Sequence, residues 1–231
     1  MTQSDKIMAA TEWQSNAHLI LDCFKLGYIS DQDLVIDLTY NTGKWWGLAK
    51  PQRLITNDWD PQFNCDMAAD FRDTGLSDDC FDVVAFDPPY VAKGGRETST
   101  IDAMDAAYGM REAPKTPVGV QDLINAGVKE AARICKPDGV VLVKCKNYIS
   151  GGKYFPGVWL TIDNALAWTP LDLEDELIHV GQPGPQSQTS QQHARNNYSV
   201  LLVFRRRSQR FVASTHRQVS FATTDDDGNE L

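Results

Sequence analysis

An apolar run of six residues, Phe81–Phe86 (FDVVAF), stops abruptly at Asp87-Pro88-Pro89-Tyr90. The two prolines have no N–H to donate and a fixed φ, so a strand running into them has to end there. The run itself is apolar on both faces, as expected of a strand covered from above and below. Similar short runs recur: 34–38 (LVIDL), Arg53–Thr56 (RLIT), 139–144 (GVVLVK), 173–180 and 198–205, with a shorter candidate at 67–71. Between several of them lie helical patterns. Trp13, Ala17, Ile20, Leu21 and Phe24 fall at helical spacing over 11–26, Leu123, Ile124, Val128, Ala131, Ala132 and Ile134 do so over 121–135, and 156–168 is a third candidate. Strands alternating with helices imply an α/β fold. The expected architecture is a Rossmann-like, mainly parallel, seven-stranded sheet with helices on both faces. The last two strands have no helix between them and imply an antiparallel edge hairpin.

One domain is expected over residues 1–207 of the 231, followed by an acidic tail, 208–231, ending in Asp225-Asp226-Asp227-Gly228-Asn229-Glu230-Leu231. Two polar stretches without periodicity, 91–118 and 181–197, are too long for ordinary connections and read as functional loops. No apolar run approaches the ~20 residues of a membrane span, and the first residues lack the charged-then-apolar pattern of a signal peptide. The expectation is a soluble cytoplasmic protein with no membrane partner; a phage protein acting in its host is one such setting. The five cysteines are scattered, with no C-x-x-C pair, and the four histidines are dispersed, so neither a disulfide framework nor a metal site is expected. Net charge is −9, which argues against a protein that coats nucleic acid non-specifically. An anionic partner has to be met locally, and Arg205, Arg206, Arg207 and Arg210 form one candidate patch.

In an open α/β sheet, ligands bind beyond the carboxyl ends of the strands. Asp37 to Gly43, Asp58, Asp70 and Asp87 to Tyr90 all sit just past apolar runs. The tetrapeptide at 87–90 is rigid and rich in acceptors. The Asp87 carboxylate and the Pro88 carbonyl suit the two hydrogens of one amino group. An aromatic amine is a poor nucleophile because its lone pair is delocalised. Drawing both N–H bonds toward acceptors favours a localised lone pair, and Tyr90 is suited to stack on the ring and hold it in line. Asp37-Leu-Thr39-Tyr-Asn41-Thr-Gly43 is a polar turn whose Asn41 and Gly43 tolerate left-handed backbone. Asp58 lies about 20 residues beyond Asp37, where an acidic group accepts from both ribose hydroxyls of a nucleoside cofactor. Taken alone, each motif also reads as an ordinary turn.

With these motifs in this order, the chain resembles the class I S-adenosylmethionine-dependent amino-methyltransferases with a D/N/S-P-P-Y/F motif, over 37–205. The turn Asp37 to Gly43 resembles the family's D-x-F-x-G-x-G, with Asn41 for the first glycine and Thr39 for the aromatic residue. The resemblance implies S-adenosyl-L-methionine as cofactor, bound by Asp37, Thr39, Asn41, Gly43, Asp58, Asp70 and Phe71. It implies Asp87, Pro88, Pro89 and Tyr90 as catalytic, and Lys93, Arg96, His193, Arg195 and Asn197 as substrate-binding, with no metal. The Asp form of the motif implies N6 of adenine in DNA. Cytosine N4, adenine or guanine in RNA, a protein glutamine, and a non-catalytic nucleic-acid-binding subunit remain alternatives. A dinucleotide-dependent oxidoreductase is disfavoured, because no G-x-G-x-x-G follows the first strand. Lys144 and Asn147 read equally as site-facing residues or as a solvated strand end.

Overall fold

The computed structural model describes residues 7, 13–90, 114, 116–181, 193, 194 and 196–208. Eight strands are present among the described residues: β1 (Leu34–Asp37), β2 (Arg53–Thr56), β3 (Phe81–Phe86), β4 (Cys135–Cys145), β5 (Tyr148–Ser150), β6 (Lys153–Phe155), β7 (Leu171–Val180) and β8 (Tyr198–Arg206). The helices are α1 (Asn16–Leu26), α2 (Pro117–Ile134) and α3 (Gly157–Trp168). Six strands form the main sheet in the order β2-β1-β3-β4-β8-β7. β2, β1, β3 and β4 pair in parallel, while β8 runs antiparallel to both β4 and β7. The expected edge hairpin is therefore present, with β7 outermost.

The main sheet has six strands among the described residues, not the expected seven. Residues 67–71 contribute a single parallel bridge, Asn57 to Met67. Side chains take over from the ladder there. The Asn57 amide nitrogen donates to the Leu38 and Ala69 carbonyls (3.0 Å each), and its oxygen accepts from the Ala69 N–H (2.9 Å). The Asp66 carboxylate accepts from the Thr56 N–H (2.9 Å) and hydroxyl (2.8 Å). With those partners used, no second rung forms.

The period-2 alternation of the strands sorts the core into two layers. Ile36, Val84, Phe86, Val141, Val143, Leu202 and Phe204 face α2 and α3, which contribute Ile124, Val128, Ala131 and Ala165. Val35, Val83, Ala85, Leu142, Leu201 and Val203 face α1, which contributes Leu19, Ile20 and Cys23, together with Trp45 and Trp46. Both faces are covered, which is why the central strands read as continuous apolar runs. No helix among the described residues is long and apolar enough to cross a membrane.

Helix starts differ from the sequence reading. α1 begins at Asn16 because Ser15 is extended; Trp13 instead lies against the helix, its indole N–H donating to buried Asp22 (2.9 Å). α2 begins at Pro117, earlier than the periodicity suggests. The Thr116 hydroxyl caps it by accepting from the Gly119 N–H (3.1 Å), and proline suits the first turn. Gly127 on α2 leaves room for the Phe86 ring, which a Cβ there would strike. The end of β3 is thereby pinned to the helix above it.

Candidate active site

The parallel strands deliver their carboxyl ends to one edge of the sheet, where short hydrogen bonds tie the ends together. Leu38 N–H donates to the Ala85 carbonyl (2.9 Å), Asn57 N–H to Asp37 (2.9 Å) and Tyr40 N–H to Asn57 (2.9 Å). The Thr39 hydroxyl accepts from the Asp87 N–H at 2.8 Å. Thr39 thus couples the turn after β1 to the start of the Asp87 to Tyr90 segment after β3.

Asp37 is buried at the base of this edge. Its carboxylate accepts from the Trp46 indole N–H (2.8 Å) and the Thr39 N–H (3.0 Å). Burial pushes its pKa up to about 7, against those two hydrogen bonds. Asn41 takes left-handed backbone (φ 50) and Gly43 does the same (φ 70). Asparagine is one of the few residues other than glycine that takes this conformation readily. At Gly43 the Tyr40 ring occupies the place of a Cβ, so side-chain packing and backbone both call for glycine. The Asn41 N–H donates to Asp58 Oδ2 (3.0 Å) and the Asp60 N–H to Asp58 Oδ1 (3.1 Å). Burial raises the Asp58 carboxyl, and those N–H donors oppose the shift.

Asp87 is the focus of the edge. Trp45 donates its indole N–H to Asp87 Oδ2 (2.9 Å). Oδ1 is hidden from solvent and has no hydrogen-bond partner among the described residues. Burial raises the carboxyl to about 6, opposed by the Lys144 ammonium and the Trp45 hydrogen bond. Lys144, on β4, is fully buried, and its ammonium donates to Asn16 Oδ1 at 2.8 Å. Burial lowers the Lys144 pKa to about 8, against the attraction of Asp87. The edge thus holds a confined acid and base that stabilise each other's charged form. Pro88 is buried, and Tyr90 packs partly buried against the core below α2.

No family model matches the sequence, and no curated protein does either. Solved structures do resemble the fold. TrmN from Thermus thermophilus is 12% identical, over 88% of this chain and 51% of that one, with a TM-score of 0.50. The likeness shows a shared fold. The N-methyltransferase NodS from Bradyrhizobium japonicum WM9, in complex with S-adenosyl-L-homocysteine, is 12% identical over 84% of this chain and 89% of that one (TM-score 0.49). PvuII DNA methyltransferase, cytosine-N4-specific, is 12% identical over 56% and 44% (TM-score 0.40). The chain spans about half the length of TrmN and less than half that of the PvuII enzyme.

Asp37, Thr39, Asn41, Asp58 and Asp87 are brought together by the sheet edge. Asp70 is not part of that hydrogen-bonded group. It sits on the following loop, held by Arg72 through contacts of 2.5–3.0 Å, and Arg72 keeps its carboxyl below the usual range. Phe71 packs its ring against Phe86, with centroids 5.0 Å apart. His193 Nε2 lies 2.6 Å from the Gly152 carbonyl oxygen. Asn197 closes the neck of the 181–197 segment with Gly181, through Gly181 N–H to its carbonyl (2.7 Å) and its side chain to the Gly181 carbonyl (3.1 Å). Lys93, Arg96 and Arg195 lie outside the described residues.

Two expectations change. The arginine patch is not an open cationic surface: Arg205 pairs with Glu174, Arg206 with Asp79 and Arg207 with Asp172. It also lies at the wrong end of the sheet, because Arg205 faces Val140, the start of the regular β4 pairing, where the parallel strands begin. Arg210 is outside the described residues. Lys144 is not a solvated strand end but a buried partner of Asp87. Asn147 is structural: its side chain donates to the Tyr198 hydroxyl (2.9 Å) and accepts from the Val158 N–H (3.0 Å). Sequence reasoning also passed over Asn16, Asn57 and the tandem Trp45-Trp46. Only the tryptophans carried a signal, as two bulky N–H donors directly after a turn flanked by acids.

Proposed function

We propose that this protein transfers a methyl group from S-adenosyl-L-methionine to an exocyclic amino group of a nucleobase, N6 of adenine in DNA. The observation that carries the reading is Oδ1 of Asp87, a rigid buried acceptor unpartnered among the described residues, at a strand end beside the Asp37 to Gly43 turn. A buried carboxylate oxygen without a donor is costly and calls for an N–H from a ligand.

The residues present fit the cofactor. Asp58 spends one lone pair of each oxygen on a backbone N–H, so further acceptor capacity remains for ribose hydroxyls. Asn41 and Gly43 allow a tight turn that brings backbone close to a ligand. Asp70 and Phe71, on the adjoining loop, offer an acceptor and a ring edge for an adenine. When bound, S-adenosyl-L-methionine supplies an electrophilic methyl group on a sulfonium.

The chain's own contribution is to position and to accept. Asp87 and the Pro88 carbonyl take the two hydrogens of the amino group and draw its lone pair out of conjugation. Trp45 and Thr39 hold Asp87 in place from the side chain and the backbone. An amine nitrogen becomes strongly acidic as it is alkylated. A carboxylate raised to about 6 by burial is suited to receive that proton and release it to water near neutral pH. Reaching a paired base requires flipping it from the stack, at a cost of a few kcal/mol.

The test is incubation with labelled S-adenosyl-L-methionine and unmethylated DNA, with RNA in parallel, and mass spectrometry of the nucleosides. N6-methyladenine in DNA is the expected product. Asp87→Ala is expected to lose transfer by at least about 100-fold while binding the cofactor as tightly as the parent. Transfer to RNA alone, or to another base, overturns the substrate. Undiminished turnover by the variant removes Asp87 from the chemistry.

A further inference from the structure

Lys144 and Asp87 are neighbours with no hydrogen bond between them. Phe86 pairs with Val143 in the parallel β3–β4 register, so Asp87 and Lys144 stand one residue further along. Alternation turns both toward the α1 face, the side of Val83, Ala85 and Leu142. Lys144 is fully buried, and a buried ammonium calls for acceptors. Asp87 Oδ1 is a charged acceptor hidden from solvent close by, yet it has no hydrogen-bond partner among the described residues. The ammonium donates instead to the neutral Asn16 Oδ1, at 2.8 Å, from the first turn of α1. Asn16 is itself fixed. Ser15 before it is extended and its hydroxyl meets His18 Nδ1 at 2.9 Å, and Ala17 after it is buried.

A charge-assisted contact is the stronger one, so the choice of the neutral partner has a chemical consequence. Asp87 Oδ2 already accepts from Trp45. An ammonium seated on Oδ1 would leave the site short of an acceptor for an amino group with two hydrogens. Held by Asn16, the same ammonium still favours the charged form of Asp87 through space.

We propose that Asn16 is a positioning residue: it holds the Lys144 ammonium off Asp87 Oδ1, so that this oxygen stays open to an N–H of the substrate amine while the positive charge remains close. The assignment rests on the reading of Asp87 as the amine acceptor, and it adds the residue that keeps that acceptor free.

Other titratable groups surround the pair. The thiols of Cys23 on α1 and Cys145 on β4 face the ammonium, and burial pushes both up, Cys23 to about 12. His179 on β7 is lowered by burial and by the same ammonium. Asp37, pushed up to about 7 by burial, faces Asp87 and titrates in the same range, so Asp87 has to be followed by itself.

The experiment compares the parent chain with Asn16→Leu, Lys144→Met and the double variant. One readout is the titration of the Asp87 carboxyl by carbon-13 NMR without substrate, assigned with Asp87→Asn; the other is the plateau rate of single-turnover methyl transfer. In Asn16→Leu the released ammonium engages Oδ1. The Asp87 pKa is expected to fall by about one pH unit or more, and the plateau rate by about tenfold or more, as a hydrogen bond to a charged group is lost. Lys144→Met moves the titration the other way. Added to Lys144→Met, Asn16→Leu is expected to change neither readout further, because Asn16 acts through Lys144. Asn16→Ala repeats the deletion with less bulk and is expected to move both readouts in the same directions. An Asp87 titration that stays or rises in Asn16→Leu and Asn16→Ala overturns the proposal. So does an equal loss of rate with and without Lys144, the mark of a merely structural role. The expected titrations in a protein that transfers no methyl group to DNA or RNA support the positioning and overturn the methyltransferase reading.

Discussion

Replacing Lys144 by methionine removes the buried charge of the site, together with its hydrogen bond to Asn16, while keeping the packing. Methionine fills nearly the same volume, so the buried space on β4 stays packed. What is lost is a fully buried positive charge that favours the ionised form of Asp87. In the parent, burial already lifts Asp87 to about 6. Withdrawing a nearby opposite charge raises a carboxyl pKa by about one to three pH units. Asp87 must be ionised to accept an N–H, so the acidic limb of the pH–rate profile reports its titration. With a limb near 6, about nine-tenths of the parent is active at pH 7; a limb moved up by one to two pH units leaves about one half to one tenth. Near pH 10 the variant recovers, because Asp87 is then ionised without help. The parent gains nothing there, since by the time Lys144 loses its proton, at about 8, Asp87 is already charged. The assay is single-turnover methyl transfer between pH 5 and 10, with cofactor affinity measured at each pH. An unmoved acidic limb, or an equal loss at every pH, refutes the coupling.

Thr39→Val removes the acceptor of the Asp87 N–H while keeping the side-chain shape. An unsatisfied N–H costs about 1–3 kcal/mol, so kcat is expected to fall with cofactor affinity held; calorimetry and turnover together check this, and an unchanged kcat refutes it. Asn57→Ala deletes three buried or part-buried hydrogen bonds, which join the end of β2 to Leu38 after β1 and to Ala69. It is expected to lower stability by about 3 kcal/mol; a denaturant midpoint matching the parent refutes it. Asp58→Ala is expected to weaken cofactor binding by about tenfold or more, as hydrogen bonds to a charged group are lost; unchanged affinity removes Asp58 from the ribose contact.

Much of the architecture is legible in local pattern. The central strands are buried on both faces, so their apolar runs stand out against polar turns, and β3 has the bounds its sequence suggests. The two prolines after Asp87 end β3 by backbone chemistry alone, and Asn41 advertises a left-handed turn by its residue type. The β5–β6 hairpin also had a local signal, Ser150-Gly151-Gly152 between aromatic residues, which the reading passed over. The start of α2 had one too, in Thr116-Pro117, which lies outside the apolar periodicity and inside the capping rules.

What the sequence by itself determined is the set of elements, their alternation and the chemical character of their ends, because these depend on neighbours within a turn or a strand. Tertiary structure alone decided which of those ends work together. Lys144 meets Asn16 across 128 positions and Trp45 meets Asp87 across 42. Arg205, Arg206 and Arg207 look like an anion site until the antiparallel run of β8 carries them to the far edge and pairs each with an acid. Charge and burial at such points are properties of what packs around a residue, and no local window of sequence contains that information.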